Sequence, residues 1–161
     1  MLIRPANRAD WSQVWRFFDE IVRDGRTYAY AEDMDSASAE SLWMEPPPGL
    51  TVVALEGDRV VASAKMGPNR GGRGAHIATA SFMVSPSARG HGVGRALGQF
   101  AVEWARSSGY HGMQFNAVVE TNTTAVRLWE SLGFVILATV PEAFDHATEG
   151  LVALHVMYLR L

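Results

Sequence analysis

A glycine-rich turn between an apolar strand and a helix constrains this chain more than any other segment. Residues 81–94 read Ser-Phe-Met-Val-Ser-Pro-Ser-Ala-Arg-Gly-His-Gly-Val-Gly. The glycines at positions 90, 92 and 94 leave the backbone free to curl tightly, so several N–H groups can point at one spot. That spot lies at the N-terminus of the following helix, where the helix dipole favours negative charge. The pattern predicts a pocket for a pyrophosphate, with a flexible connection as the alternative.

The spacing of apolar residues predicts helices and strands in alternation. Helices are expected at residues 9–23 (Asp10 as N-cap), 36 or 38–44, 92–108 and 122–132, and strands at 50–55, 59–66, 76–84, 112–119, 134–140 and 151–159. The turn around Gly57 predicts a hairpin between the first two strands. Strand 112–119 is nearly continuously apolar, which is typical of a strand buried on both faces. We expect an α/β (α+β) fold with helices on both faces of a central sheet.

The composition limits the classes of function. With 161 residues, 48% of them hydrophobic, the chain can bury one core, and we expect a single domain over residues 1–161. A formal net charge of -3 gives no field to hold nucleic acid or an anionic membrane. The segment 70–74, Arg-Gly-Gly-Arg-Gly, could contact RNA, but a loop near the active site explains it as well.

The chain contains no cysteine, which excludes thiol nucleophiles, thiolate metal sites and disulfides. We therefore expect no metal and a cytoplasmic location. Residues 1–10 lack the apolar core of a signal peptide, and no apolar run approaches the roughly 18 residues of a membrane span.

Three segments, taken in order, resemble the GNAT superfamily of acyl-CoA-dependent N-acetyltransferases. They are the strand that ends in Arg89-Gly90-His91-Gly92-Val93-Gly94, the strand 113–119, and residues 122–134, Asn-Thr-Thr-Ala-Val-Arg-Leu-Trp-Glu-Ser-Leu-Gly-Phe. The resemblance implies a mostly antiparallel mixed sheet in which one parallel strand pair is splayed. It also implies acetyl-CoA as the acyl donor and direct attack by an amine in a ternary complex, which needs no cysteine.

The resemblance assigns the residues that hold acetyl-CoA. It implies that the backbone amides from Gly90 to Arg95, which include those of His91, Gly92, Val93 and Gly94, cradle the pyrophosphate, with Arg89 opening the turn. The main chain of Phe82, Met83 and Val84 would bind the pantetheine arm as an extra strand, and an N–H near Val84 would bind the oxyanion. Asn122 would grip the arm from the other side, with Ala125 and Trp129 near the thioester. Asn122 is also in the position of a helix N-cap, and both roles can coexist.

The residues that would act as general acid and general base in the transfer are less defined. Many relatives have tyrosine at the position of Trp129, and an indole N–H is too weak an acid to protonate a thiolate, so Trp129 offers a hydrogen bond or fills the core. Candidates for the base are Glu120, Glu32, Asp33 and His76, and a water relay is equally credible.

The acceptor is expected to be a small amine or an amino acid. Asn116 lies in an apolar strand, so we expect it to be buried and either to hold the substrate or to tie two strands together. The segment from Phe115 to Phe134 is similar to the corresponding part of the acetyltransferases that act on L-azetidine-2-carboxylate. In those enzymes, paired asparagines on adjacent strands orient a small amino acid. Asn116 matches one of these, and the other position is Thr79. Tyr28, Tyr30 and residues 144–146 are candidate pocket walls.

Two other functions stay open. The acceptor could be a protein N-terminus or lysine, or the protein could be a non-catalytic acyl-CoA sensor. The C-terminal strands of the family often pair across a dimer, so strand 151–159 makes a homodimer a further expectation.

Overall fold

The computed structural model describes all 161 residues. The chain forms seven strands, β1 (Leu2–Pro5), β2 (Leu50–Glu56), β3 (Arg59–Pro68), β4 (Ile77–Val84), β5 (Gly112–Val119), β6 (Val135–His146) and β7 (Gly150–Arg160). It forms four α-helices, α1 (Trp11–Arg23), α2 (Ser36–Trp43), α3 (Val93–Ser107) and α4 (Thr123–Ser131). Every predicted helix and strand is present.

All seven strands form one sheet in the order β1-β2-β3-β4-β5-β7-β6. Every neighbouring pair is antiparallel except β4 and β5, which are parallel. Those two strands pair only at Ile77–Gly112 and Ala78–Met113, and beyond these positions they diverge. The result is a cleft in the middle of the sheet, open toward the C-terminal end of β4. The predicted fold class is confirmed, including the splayed parallel pair.

Helices cover both faces of the sheet because side chains alternate along each strand. On one face α1 and α2 bury Val14, Phe18 and Trp43 against Val53 and Met83. On the other face α3 and α4 cover a second core, which includes Val52, Leu97, Met113, Phe115 and Trp129. Successive residues at the end of β4 therefore serve different layers, with Met83 in the first core and Phe82 and Val84 packed against the second.

Two strands differ from their prediction. β1 was not predicted, since its four residues include an exposed leucine and a proline, and it is a strand only because it pairs with β2 from Leu2–Leu55 to Pro5–Val52. β6 continues well past residue 140. It passes through register shifts and the positive φ of 53° at Glu142, and then pairs with β7 as far as His146–Gly150.

Asp10 occupies the N-cap position of α1 as expected, but it does not cap the helix through its side chain. The Asp10 side chain makes no cap hydrogen bond to α1. It instead accepts a hydrogen bond from the Asn7 N–H at 2.8 Å, which closes a capping box around the short 3₁₀ turn Arg8–Asp10. That extra turn precedes α1 and takes the carboxylate that would otherwise reach the helix.

None of the four helices combines the length with the apolar character that crossing a lipid bilayer requires.

Candidate active site

The turn that follows β4 presents a row of free amides. The N–H groups of residues 90–95 donate to no acceptor within the chain. Gly90 and Gly92 have φ values of 82° and 78°, and a Cβ added at either would meet no atom within 4 Å. Gly92 is the N-cap of α3 in the left-handed conformation, so its neighbours aim their amides along the helix axis. This open, positively polarised turn is suited to an anion.

Side chains around the turn leave the amides accessible. Arg89 and His91 are exposed beside the turn. The Arg95 guanidinium is turned away, since it donates to the Ser131 hydroxyl on α4 at 2.9 Å. Only the backbone of Arg95 therefore faces the turn. Gly94 and Val93 begin α3, with Val93 buried in the core.

Alternate residues of β4 face the cleft. Ser85 N–H donates to Val61 C=O at 2.9 Å, and Asn69 N–H donates to Ile77 C=O at 2.7 Å. Because an antiparallel ladder alternates, the odd-numbered residues of β4 bond to β3 and the even-numbered ones point the other way. Phe82 and Val84 thus turn their N–H and C=O groups toward the cleft.

Met83 offers the cleft no polar group. Its backbone faces β3 opposite Ser63, and its side chain is 1% exposed in the α1/α2 core. Of the three strand residues expected to bind the pantetheine arm, Val84 has a cleft-facing backbone with no side-chain partner. Phe82 also faces the cleft, but a tyrosine already bonds to it.

The Tyr28 hydroxyl lies against the cleft edge of β4. It donates to Phe82 C=O at 2.7 Å and accepts from Phe82 N–H at 3.0 Å. The ring stacks on Tyr30 at a centroid distance of 5.2 Å. Burial raises the pKa of Tyr28, and the nearby Tyr30 raises it further, so the phenol stays a neutral donor.

Helix α4 and the end of β5 form the opposite wall. The Asn122 side-chain oxygen accepts from Ala125 N–H at 3.3 Å, so the predicted N-cap is confirmed. The Asn122 amide nitrogen has no partner in the chain, and Asn122 and Ala125 are half-buried. The N-cap role therefore leaves a donor for a ligand.

Trp129 forms the floor of the cleft. It is 7% exposed and packs against Phe82 at 4.7 Å and Phe115 at 4.9 Å between ring centroids. Trp11 and Trp43 donate their indole N–H groups to serine hydroxyls, but Trp129 has no acceptor. Since no fully buried polar side-chain atom lacks a partner, the Trp129 N–H reaches the surface. Trp129 fills the core and keeps a free donor.

The expectation that Asn116 is buried was wrong. Asn116 and Ala117 are exposed, and they lie where the β5–β7 register shifts, beyond the two residues of β5 that pair with β4. The amide of Asn116 is nevertheless ordered by hydrogen bonds. It donates to the Asn69 side-chain oxygen at 2.6 Å and accepts from the Gln114 amide at 2.8 Å.

Thr79 shares this face of the sheet. It follows the last paired residue of β4, as Gln114 follows the last paired residue of β5. The two residues therefore stand beside each other where the strands begin to diverge. Thr79 makes no side-chain hydrogen bond of its own and is half-buried. Of the two residues compared with paired asparagines, only Asn116 is bonded to Gln114.

Three further residues lie on the face of the sheet that carries Thr79 and Asn116, and no sequence pattern indicated them. Burial raises the pKa of Tyr30, while the nearby Ser81 side chain opposes that shift and nearby Glu45 adds to it. Glu45 pairs with Lys65 at 3.3 Å. Lys65 lies opposite Ser81 in the β3–β4 register. Glu45, Lys65 and Ser81 come from separate segments, and no local motif marks any of them.

The candidate bases lie in different places. Glu120 follows β5, and its Oε1 accepts from Ala153 N–H at 2.8 Å, which leaves Oε2 free. Glu32 and Asp33 are exposed in the connection before α2. His76 precedes β4 beside His111, about 25 Å from Val84 at the usual rise per strand residue.

Residues 144–146, the candidate pocket walls, lie at the end of β6. Phe144 packs with Val119 and Val152, and His146 is 5% exposed. Ala147 N–H donates to Gly25 C=O at 3.0 Å. The end of β6 therefore anchors the loop that carries Tyr28 and Tyr30.

A sheet split by two diverging parallel strands, with free amides at the end of one of them, defines a class of enzymes that transfer acyl groups from coenzyme A thioesters. The family model described as "Acetyltransferase (GNAT) family" matches residues 14–134. The chain belongs to this family, and it is an N-acetyltransferase. The predicted family and enzyme class are confirmed.

Three known proteins are similar over nearly the whole chain. A GCN5-related N-acetyltransferase from Kribbella flavida superposes with a TM-score of 0.97 at 55% identity, covering 99% of this chain and 97% of that chain. The structure of yncA from Salmonella typhimurium with its cofactor acetyl-CoA superposes with a TM-score of 0.85 at 26% identity, covering 100% and 94%. The L-amino acid N-acyltransferase MnaT of Escherichia coli is 30% identical over 146 residues, which cover 88% of this chain and 84% of that protein.

Proposed function

We propose that the protein transfers the acetyl group of acetyl-CoA to the amino group of a small amine or amino acid, by direct attack in a ternary complex. The observation that carries the proposal is the row of six free amides at residues 90–95, beside a strand whose neighbour has diverged. The acetyl-CoA bound to yncA supports the donor. The name of MnaT supports an amino acid acceptor.

The residues of the cleft have separate roles in this proposal. The amides from Gly90 to Arg95 bind the pyrophosphate, and Arg89 and His91 flank it. The Val84 N–H donates to the thioester oxygen as that oxygen gains negative charge. The free amide of Asn122 holds the arm from the opposite wall, above Ala125 and Trp129. Acetyl-CoA supplies an acyl group activated as a thioester.

The acceptor binds on the face that carries Thr79, Asn116 and Tyr30. Amide and hydroxyl groups there can donate to a carboxylate and accept from an amine. This mixed polarity suits a small amino acid. Glu120 is our candidate base through its free Oε2, and the Trp129 N–H donates to the departing sulfur.

Strand 151–159, through which a homodimer was expected, is β7 and pairs with β5 on one side and β6 on the other, so it has no free edge. We therefore propose a homodimer formed through β6. This strand lies at the edge of the sheet, and Val135, Leu137 and Val140 on it are 55%, 60% and 47% exposed. Residues 135–141 carry no charge. Natural sheets normally protect an edge strand with charged side chains. Since β6 lacks them here, we infer that a second copy of the chain pairs with β6 and covers both its backbone groups and its apolar side chains.

A cytoplasmic location and the action of residues 1–161 as one domain complete the proposal. The absence of cysteine fits a reducing compartment. The one sheet takes strands from Leu2 to Arg160.

The test compares two glycines with the same strain. Gly92 and Gly57 have φ values of 78° and 60°, and a Cβ at either meets no atom within 4 Å. Each glycine-to-alanine change should cost about 1–2 kcal/mol of stability from the left-handed conformation. Only Gly92→Ala should weaken acetyl-CoA binding in calorimetry, by about tenfold or more.

Turnover is measured as CoA release with a panel of amino acids and amines. Release only in the presence of an acceptor supports the proposal. Tight binding of acetyl-CoA without turnover would identify the sensor instead. Equal effects of Gly92→Ala and Gly57→Ala on binding would contradict the amide cradle.

A further inference from the structure

The Tyr28 hydroxyl occupies a position that an extra strand would use. A strand added to the free edge of β4 would bond to the N–H and C=O of Phe82, and one phenol oxygen now satisfies both, at 3.0 Å and 2.7 Å. The free edge of β4 is therefore closed at Phe82 to any ligand that would form strand-like hydrogen bonds with it.

Tyr28 is held in this position by packing. Its ring stacks on Tyr30 and meets Trp43 edge to face at 6.3 Å between centroids. Trp43 is itself fully buried and donates to the Ser63 hydroxyl at 2.8 Å. The phenol is thus supported by the α1/α2 core.

The direction of the donor arm places Tyr28 at its acyl end. An arm anchored at residues 90–95 reaches Val84 first and comes level with Phe82 about 7 Å further on, which is the rise of two strand residues. We propose that Tyr28 forms the end wall of the acyl subsite and restricts the donor to short acyl groups. This inference rests on the proposed function, and it moves Tyr28 from the acceptor wall to the donor side.

Acyl-chain selectivity tests the inference directly. The ratio of kcat/KM for butyryl-CoA to that for acetyl-CoA is measured in the wild type, Tyr28→Ala and Tyr28→Phe. One methylene in an apolar pocket changes kcat/KM by about 10- to 200-fold, so the wild type should disfavour butyryl-CoA at least that strongly. Tyr28→Ala should raise the ratio by about tenfold or more. Tyr28→Phe keeps the ring but frees the N–H and C=O of Phe82, so its ratio should lie between those of the wild type and Tyr28→Ala.

Tyr110→Ala is the control, since it removes a ring of the same size that packs against Trp104 of α3 and contacts neither Tyr28 nor Phe82. Its ratio should stay at the wild-type value. If Tyr28→Ala does not fold, as judged by circular dichroism, Tyr28→Leu keeps apolar volume while shortening the side chain and should raise the ratio in the same direction.

Three results would overturn the inference. They are a wild type that uses butyryl-CoA as well as acetyl-CoA, an unchanged ratio in the shortened Tyr28 variants, and an equal rise in Tyr110→Ala. Calorimetry of the wild type with acetyl-CoA separates the two proposals. Absence of binding and of turnover removes the proposed function together with this inference, whereas normal binding and turnover with an unchanged ratio removes only the role of Tyr28.

Discussion

At the scale of one residue, Asp10 shows how hydrogen bonds stabilise a buried charge in this fold. Its two carboxylate oxygens accept from the Arg4 guanidinium, each at 2.7 Å, and one of them also accepts from Asn7 N–H. The hydrogen bonds from Arg4 hold the pKa of Asp10 below its usual value, against the opposing effect of burial. Because the pKa is lower in the folded than in the unfolded chain, this stabilisation is present at neutral pH and is lost as the pH falls below about 4.

We expect Asp10→Asn to lower the free energy of unfolding by about 1–2 kcal/mol at pH 7, since a neutral amide has one acceptor oxygen and turns an NH2 group toward a donor that the second carboxylate oxygen now satisfies. The difference from the wild type should shrink between pH 5 and pH 3, as the wild-type carboxylate is protonated. Urea unfolding across this range measures it. Asp58→Asn, in the exposed β2–β3 turn, is the control and should change little. A difference that stays constant down to pH 3 would count against the ion pair.

At the scale of elements, Gly98 sets how closely α3 approaches α4. A Cβ at this position would lie 2.8 Å from Leu132 Cδ1 and 2.8 Å from Trp129 Cζ3. The Trp129 ring is held between Phe82 and Phe115, so it cannot move aside without disturbing the floor of the cleft. The glycine is therefore a packing requirement inside a helix.

Gly98→Ala should destabilise the protein by about 1 kcal/mol, because overpacking at about 1–3 kcal/mol outweighs the gain of about 1 kcal/mol in helix propensity. Thermal and urea unfolding measure the change. The control is Gly94→Ala, one turn earlier, where a Cβ would meet Leu128 at an ordinary 3.5 Å. Its stability should be unchanged or slightly higher. A Gly98→Ala protein as stable as the wild type would contradict this account of the packing.

At the scale of the whole molecule, the two edges of the sheet differ. β6 is an uncharged edge strand over residues 135–141, whereas β1 at the opposite edge is only four residues long and carries Arg4. Only the β6 edge offers a long apolar surface to a second copy.

Leu137→Lys should convert the proposed dimer to a monomer, because it places a charge in the paired edge. Sedimentation velocity at several concentrations measures the change in mass. Leu2→Lys is the matched control, since Leu2 is 59% exposed on the other edge and Leu137 is 60% exposed. A wild type that sediments as a monomer, or dimers that survive in Leu137→Lys, would remove β6 as the interface.

Local patterns predicted much of the fold and the donor side of the site. The glycine spacing at 90–94, the N-cap at Asn122 and the apolar stripe of α3 each depend on residues near one another in the chain, so the sequence displays them directly. β1 and the part of β6 beyond residue 140 were missed because they are strands only through their pairing with β2 and β7. Propensity carries little information about such edge strands.

The acceptor side depended on contacts between distant segments. Tyr28 and Phe82 are 54 residues apart, and Asn116 and Asn69 are 47 apart. The sequence suggested Tyr28 and Asn116 as candidates, but it gave neither the partner of Tyr28 nor the exposure of Asn116. Glu45, Lys65 and Ser81 had no local signal at all.

By itself, the sequence determined the family through its resemblance. It also determined the order of the helices and of six of the seven strands, and the amide turn, because periodicity and glycine positions act over a few residues. Only the tertiary structure decided where β4 and β5 part, which of their groups stay free, and which side chain closes the edge of β4 at Phe82. Those features follow from strand register and from packing between layers, which join residues that no short-range pattern connects.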